Sequence, residues 1–304
     1  MNIRKLNDLV GLVSGKIRRK LVVAVAQDVD VLLAVKAASE AGIIEPILVG
    51  DQKEIIESAA QAGLDISKIE IVDIADRQQG CARAVKMVRE KKADILMKGM
   101  ATTAQFLRAI LDKEHGLMEE GLLSHVAFFE SPYYHKILCV TDAAMNISPD
   151  FNEKTAILNN AVNVYHKLGN PLPKAGILAA VETINPKMEA TVHAAMMVAM
   201  QKRNQIRGCL IEGPLALDNA ISAEAARHKG IESEIAGDVD ILLVPDLNAG
   251  NILYKSLIFL GGSSTAAMVV GAVAPVVLTS RSDSDKSKFL SIALAAAIEE
   301  GKVR

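Results

Sequence analysis

The chain has 304 residues, enough for one large α/β domain or two ordinary ones. Half of the residues are apolar and 23% are charged, so the chain can bury a large core and is not disordered. A net charge of −2 and an aromatic content of 3% exclude a basic field for DNA or anionic membranes and a base-stacking surface.

No segment of the sequence predicts export or membrane insertion. The first twenty residues are charged and lack an apolar core, so they are not expected to be a signal peptide. The longest weakly polar stretch, 266–279, is too short for a membrane-spanning helix. Cys81, Cys139 and Cys209 show no metal-binding spacing, and their apolar neighbours predict buried, reduced thiols. These features predict a cytoplasmic protein.

Short apolar runs alternate with longer helical patterns in the first third of the chain, which predicts βαβ units and a parallel sheet. The runs are apolar throughout, as expected for a sheet with helices on both faces. The predicted strands are 20–26, 46–49, 69–74 and 93–97, and the predicted helices are 29–41, 52–62, 78–91 and 103–112.

The middle of the chain begins differently. Two strands at 122–129 and 136–140, separated by the turn-like Ser-Pro-Tyr-Tyr, predict an antiparallel pair. Alternation then resumes to the end of the chain. The predicted helices are 151–168, 189–203, 223–228, 250–260 and 285–299, and the predicted strands are 175–181, 209–211, 239–244 and 268–278.

Three segments place polar residues where a strand ends and a helix begins, which is where open α/β sheets bind ligands. In 278–286, Arg281 and the amides of the following helix would form an anion site. The local sequence supports a capped helix without a ligand equally well. For 245–255, the local sequence favours a loop stabilised by Asx turns over a ligand site. For 98–103, it favours a capped surface helix over a ligand site. The candidate residues of these two segments, with the arginine that follows the second, are Asp246, Asn248, Asn251, Lys98, Thr102, Thr103 and Arg108.

The sequence lacks the common nucleotide-binding, metalloprotease and serine-hydrolase motifs: it has no Walker loop, GxGxxG, HExxH or GxSxG. The Gly-Gly-Ser-Ser run at 261–264 lacks the Lys-Ser/Thr pair of a phosphate loop, so it is predicted to end a helix. His125 and His135 flank the antiparallel pair, a placement that is more often structural than functional.

Five segments together resemble the phosphate acetyl/butyryl transferase family. They are MKGMATTAQFLRAIL (97–111), VTDAAMNISPD (140–150), IEGPLALDNAIS (211–222), DILLVPDLNAGNILYK (240–255) and PVVLTSRSDS (275–284). The resemblance extends over nearly the whole chain, from about 20 to 296. The MKG and TSRSDS forms are more similar to the butyryl than to the acetyl branch of the family.

This resemblance implies two α/β domains of the isocitrate/isopropylmalate-dehydrogenase-like type, with the active site in the cleft between them. The implied domains are 1–119 plus 267–304, and 120–266. The implied reaction is acyl-CoA + phosphate ⇌ acyl phosphate + CoA, by direct thiolate attack in a ternary complex. CoA is then a substrate, no metal or other cofactor is needed, and a homodimer or higher homo-oligomer is expected.

The resemblance also assigns residues. Ser280 and Arg281 match the catalytic Ser-Arg of the family, and Arg108 matches an arginine that helps to bind phosphate. Ungapped counting places Ser287 where the family has its catalytic aspartate, so Asp283 or Asp285 would take that role after a small shift. Two alternatives remain open: an acetyl-specific phosphotransacetylase, and a non-catalytic regulator that binds CoA or acyl phosphate.

Overall fold

The structure is a computed structural model that describes residues 3–118, 121–279 and 283–300. The chain divides into two compact units. The terminal unit comprises 7–121 and 266–304, and the middle unit comprises 1–6 and 122–265. Each unit is described by itself below.

The terminal unit is a mostly parallel sheet with helices. Its strand order is β3-β2-β1-β4-β11-β10, and all described pairs are parallel except β10 with β11. Its elements are α1 (Asp8–Val13), β1 (Arg19–Ala24), α2 (Val29–Glu40), β2 (Ile44–Gly50), α3 (Gln52–Ala62), β3 (Glu70–Asp73), α4 (Arg77–Arg89), β4 (Ile95–Lys98), α5 (Thr103–Ile110), β10 (Ser264–Val270), β11 (Val276–Val277) and α11 (Asp285–Glu300).

Side-chain caps define where the helices of this unit begin. Asp28, Asp51, Asp76 and Thr102 each accept a hydrogen bond from a backbone N–H of the first turn of α2, α3, α4 and α5. Each cap directly follows, or lies close to, the carboxyl end of a parallel strand, so these helix N-termini all lie at that edge of the sheet.

The crossover between β1 and β4 is the topological switch point of this sheet, because the chain leaves β1 towards β2 on one side and returns to β4 on the other. The two loops pack closely: a Cβ on Gly99 would lie 2.1 Å from the carbonyl oxygen of Val25. Val25 itself has φ 58°, a conformation that β-branched residues rarely adopt. Backbone strain of this kind is typical of functional loops.

The single strand predicted at 268–278 is wrong. The structure has two antiparallel strands instead, β10 and β11, with Val269 opposite Val276. Gly271 has φ 95° and Pro275 lacks an N–H, so the chain turns between them. Continuous hydrophobicity concealed the turn because both strands are buried.

The middle unit begins with the antiparallel pair and continues as parallel strands. Its strand order is β5-β6-β9-β7-β8, and of its described pairs only β5 with β6 is antiparallel. Its elements are β5 (Ser124–Glu130), β6 (Leu138–Thr141), α6 (Phe151–Lys167), β7 (Lys174–Leu178), α7 (Glu189–Lys202), β8 (Leu210–Leu215), α8 (Leu217–Ile221), α9 (Ala223–His228), β9 (Ile241–Leu243) and α10 (Leu247–Phe259).

Several predictions for this unit are confirmed. The antiparallel pair forms, with Phe128 opposite Cys139. Phe128 packs against Tyr165 of α6 and Phe129 packs against Tyr254 of α10. Because neighbouring residues of a strand point to opposite faces, α6 and α10 cover opposite faces of the sheet. The Gly-Gly run ends α10, with Gly262 at φ 62°.

The α/β class predicted from the sequence is therefore confirmed. Two short helices, α1 and α8, were not predicted, because six and five residues are too few to show a periodic pattern.

All three cysteines are buried and unpaired. Burial raises the pKa of Cys81 and of Cys209 to about 11, so both stay protonated at neutral pH. Among the described residues, no helix is long and apolar enough to cross a membrane.

Candidate active site

Lys98 ends β4 at the switch point of the terminal unit. Its side chain is only 8% exposed, and its Nζ donates to the carbonyl oxygens of Gly99 at 3.0 Å and Ala101 at 3.1 Å. A buried ammonium group held by backbone carbonyls brings a positive charge to the carboxyl edge of the sheet. Sequence alone predicted Lys98 as a substrate-binding residue, and its position at this edge suits an anionic group.

The helix that follows, α5, begins at the same edge. Thr102, not Thr103, is its N-cap, and Thr102 with Gln105 forms a reciprocal capping box. Thr103 is the first helical residue, and Arg108 lies in the last turn. Both side chains are exposed. Since the backbone amides of the first turn point out of the helix, the start of α5 can bind an anion.

Ser280, Arg281 and Ser282 lie outside the described residues. Their flanking segments are described: β11 runs parallel to β4, so both strands end at the same edge. Asp285 is the first residue of α11, and Ser284 accepts a hydrogen bond from the Ser287 N–H, as a cap does.

Asp283 and Ser287 take part in the same turn. The backbone carbonyl of Asp283 accepts a hydrogen bond of 2.6 Å from Lys288 Nζ. Ser287, at the position reached by ungapped counting, lies with its Oγ 3.1 Å from Ser284 Oγ. Both candidate aspartates therefore lie at the helix start, as the sequence predicted, and Ser287 is engaged in the cap.

In the middle unit, α10 begins at the carboxyl end of β9. Asp246 caps α10 by accepting from the Ala249 N–H at 2.9 Å. Asn251 donates from Nδ2 to the carbonyl oxygen of Ala143 at 3.2 Å, and Asn248 is exposed on the first turn. Of the three residues predicted here as substrate-binding, Asp246 and Asn251 thus also have structural partners.

The loop after β6 supplies a carboxylate that sequence reasoning did not single out. Asp142 is 3% exposed, and it accepts hydrogen bonds from the backbone N–H groups of Ala144 and Met145 at 2.8 and 2.9 Å. Its other oxygen accepts from Asn146 Nδ2 at 2.6 Å. Both carboxylate oxygens therefore have hydrogen-bond donors. The signal in the sequence was an Asp followed four residues later by Asn at the end of a strand.

Gly250 brings α10 against this loop. A Cβ at Gly250 would lie 2.5 Å from the carbonyl oxygen of Asp142, so only glycine permits the contact. The carboxyl ends of β6 and β9 are therefore joined through the start of α10.

His125 lies near the start of β5, close to the contact between the loop after β6 and α10. It is 4% exposed, and its ring contacts Tyr254 with 5.8 Å between centroids. Burial lowers the pKa of His125, and the nearby Asp142 carboxylate partly opposes that shift. His135 has a different environment: it is exposed and bonded to Asp238 at 2.7 Å, which fits the structural role expected from sequence.

Each unit thus places helix N-termini and buried charged side chains at the carboxyl edge of its strands, where α/β enzymes bind their ligands. Comparison with known proteins identifies the class as an acyltransferase. The Phosphate acetyl/butaryl transferase family matches residues 6–82 and 78–296. The chain belongs to this family, as its sequence motifs predicted.

Individual relatives agree with this assignment. The chain is 46% identical to the phosphate butyryltransferase of Clostridium acetobutylicum, over 99% of this chain and 100% of that protein. It is 48% identical to the probable phosphate butyryltransferase of Bacillus subtilis, over 97% of this chain and 98% of that protein. It is 40% identical to the phosphate acetyltransferase of Thermotoga maritima, over 96% and 98% of the two chains.

Solved structures give the same fold. A branched-chain phosphotransacylase from Enterococcus faecalis matches with a TM-score of 0.80 and 35% identity, over 92% of this chain and 99% of that one. A 4-hydroxythreonine-4-phosphate dehydrogenase from Klebsiella pneumoniae matches with a TM-score of 0.57 and 12% identity, over 92% and 99% of the two chains. The second likeness concerns the fold alone and agrees with the dehydrogenase-like architecture predicted from sequence.

Proposed function

We propose that this acyltransferase interconverts butyryl-CoA and phosphate with butyryl phosphate and CoA, and that it also accepts other acyl groups of three to five carbons, including branched ones. The observation that carries the proposal is the high identity to proteins named phosphate butyryltransferase over nearly their whole length. The structural likeness to a protein named a branched-chain phosphotransacylase supports acceptance of branched chains.

The chemistry proposed is direct attack of the CoA thiolate on the carbonyl carbon of the acyl phosphate, which expels phosphate. Negative charge develops on the carbonyl oxygen, and Ser280 would donate a hydrogen bond to it. Arg281 would bind phosphate through two parallel bonds, with Arg108 assisting. The support is the match to the family motif, together with the common edge reached by β4 and β11. Lys98 and the α5 start at Thr103 add positive potential at this edge.

A general base is needed because a free thiol has a pKa of about 8.5 and is mostly protonated at neutral pH. Asp283 or Asp285 would supply it, since both lie at the start of α11. Asp246, Asn248 and Asn251 would contact the substrate at the start of α10. Attack of a thiolate on a carbonyl requires no metal or redox cofactor, so chelation should leave the activity unchanged.

An acetyl-specific enzyme is the second candidate, favoured by the 40% identity to a protein named phosphate acetyltransferase. Two additional methylenes on butyrate contribute only about 1.6 kcal/mol of burial, or about 15-fold in preference. One or two pocket residues therefore suffice to change the preferred chain length.

The test is release of CoA from acyl-CoA substrates of two to five carbons, with and without phosphate. Butyryl-CoA should give the highest kcat/KM, and release should depend on phosphate. A higher kcat/KM for acetyl-CoA would support the second candidate, whereas no phosphate-dependent release from any substrate would contradict the proposed reaction.

We also propose that the enzyme is a cytoplasmic homo-oligomer that binds neither membranes nor nucleic acid. The three buried free cysteines suit a reducing compartment. Along α10 and just beyond it, Ile252, Phe259 and Leu260 are 67%, 68% and 87% exposed, an apolar face that a second copy would cover. Light scattering would measure the mass, and Phe259→Glu should shift it towards the monomer.

A further inference from the structure

Among the residues that the structure describes, one buried ring nitrogen of the middle unit has no hydrogen-bond partner. The Nδ1 atom of His125 is buried and makes no hydrogen bond, although the ring is 4% exposed. Buried polar atoms in folded proteins nearly always have a partner, and an exception is explained by strain, by a catalytic role, or by a bound water or ion. A phenyl ring would fill this place without leaving an unpaired atom. The imidazole is therefore costly unless its nitrogen is used.

The position of His125 is next to proposed substrate-binding residues. Its ring lies against Tyr254, which is itself partly exposed to solvent. The same helix, α10, carries Asp246 and Asn251 at its start. Asn251 is bonded to the loop that follows β6, and that loop also carries Asp142, the charged neighbour of His125.

The charges at this place favour a neutral group over an anion. The charged neighbour of His125 is Asp142, whose two oxygens accept hydrogen bonds from its own loop. Asp246, at the start of α10, is accompanied by the buried Lys154 instead. The pKa of His125 is lowered by burial, which keeps the ring neutral at pH 7. Phosphate would be repelled here, whereas an amide or thioester group would find a neutral ring nitrogen that can donate or accept a hydrogen bond.

We propose that His125 is a substrate-binding residue whose Nδ1 pairs with an amide or thioester group of the acyl-pantetheine arm of acyl-CoA, reached when Tyr254 moves aside. This inference rests on the proposed function, because it takes acyl-CoA as the substrate. It goes further by naming a subsite, the part of the substrate bound there and the atom that binds it.

The experiment compares three variants at position 125. Asn places a polar atom close to the position of Nδ1, Gln places one close to Nε2, and Phe keeps the ring without either nitrogen. We expect His125→Phe and His125→Gln to raise the KM for butyryl-CoA about tenfold, the effect of one lost hydrogen bond. We expect His125→Asn to stay within about threefold of wild type. The kcat and the KM for phosphate should change little, since the contact exists in the ground state as well.

Two further measurements separate this role from a structural one. His125→Phe should melt at a higher temperature than wild type, because it removes an unpaired buried nitrogen. Phe128→Leu is the matched control, since Phe128 lies on the same strand but faces Tyr165 on the opposite side. It should leave the KM for butyryl-CoA unchanged.

The KM for CoA in the reverse direction locates the contact within the substrate. A rise in that KM supports contact with the pantetheine amides, and a rise for butyryl-CoA alone supports contact with the thioester. Unchanged KM values for both in a folded His125→Phe variant would overturn the inference, as would equal rescue by Asn and Gln or a rise confined to phosphate. Wild-type activity is measured first, so loss of the proposed function itself would be recognised separately.

Discussion

The carboxyl edges of the two units differ in the charge that they carry. In the terminal unit the edge combines the buried ammonium of Lys98 with capped helix starts such as that of α5. In the middle unit the edge carries the buried carboxylate of Asp142 beside the neutral imidazole of His125. It also carries the capping carboxylate of Asp246, which is accompanied by the buried Lys154. Both edges arise in the same way, from parallel strands followed by helices.

From this difference we expect the two edges to suit two kinds of ligand. Helix N-termini favour anions at both edges. Lys98 adds to that field in the terminal unit. In the middle unit Asp142 opposes it beside His125, whereas Lys154 offsets the carboxylate of Asp246. We therefore expect changes at the terminal edge to act on phosphate and on the reacting atoms. Changes at the middle edge should act on the neutral part of acyl-CoA.

The largest effect should come from the general base at the terminal edge. Asn in place of the aspartate that acts as the base, either Asp283 or Asp285, should lower kcat by about 10²–10⁴. This is the usual contribution of general acid–base catalysis. CoA binding, measured by calorimetry, should be nearly unchanged. The other single variant serves as the control, and wild-type rates in both would place the base elsewhere.

Ser280→Ala should lower kcat by about 10²–10³ with little change in KM, because its hydrogen bond is made to charge present only in the transition state. Arg281→Ala should differ in kind and raise the KM for phosphate while lowering kcat. Arg281→Lys should rescue only in part, since an ammonium group cannot make the two-pronged contact.

Steady-state kinetics with phosphate as the varied substrate, together with thermal melts, would test this pair. If the segment were only a helix start, both alanine variants would retain full activity when folded, and the melts alone would shift. A wild-type KM for phosphate in folded Arg281→Ala would contradict the assigned role.

A smaller effect should appear in the pH dependence of stability at the middle edge. Burial lowers the pKa of His125 below its ordinary value of 6.5, with the Asp142 carboxylate opposing. Below pH 6.5 the unfolded state therefore binds a proton on His125 that the folded state does not bind. The free energy of unfolding is unaffected by His125 above pH 6.5 and decreases as the pH falls below that value. The expected slope is up to about 1.4 kcal/mol per pH unit.

Urea unfolding between pH 5 and 8 would measure this slope in wild type and in His125→Phe. The variant should lose less stability below pH 6.5, because it has no imidazole to protonate. Identical slopes would indicate that His125 is protonated as readily in the folded state as in the unfolded state. The statement that His125 is a neutral group of the middle edge would then be wrong.

Much of the fold could be predicted from the sequence because its signals are local. Caps such as Asp28 and Thr102 follow apolar runs, and periodicity identifies the longer helices. The turn between β10 and β11 was missed because both strands are buried and their hydrophobicity is continuous. Motifs also predicted the family and the strand-to-helix segments, and both predictions are confirmed. The substrate-binding roles of Lys98, Asp246 and Asn251 stay predictions.

The sequence by itself determined the α/β class, the family and the segments that follow strands. Only the tertiary structure decided which of those segments meet, because the contacts of β5 and of the loop after β6 with α10 join residues more than a hundred positions apart. Asp142 gains its donors from its own loop, but its closeness to Gly250 and His125 depends on strand pairing and helix packing. The unpaired nitrogen of His125 likewise follows from burial, which no local pattern records.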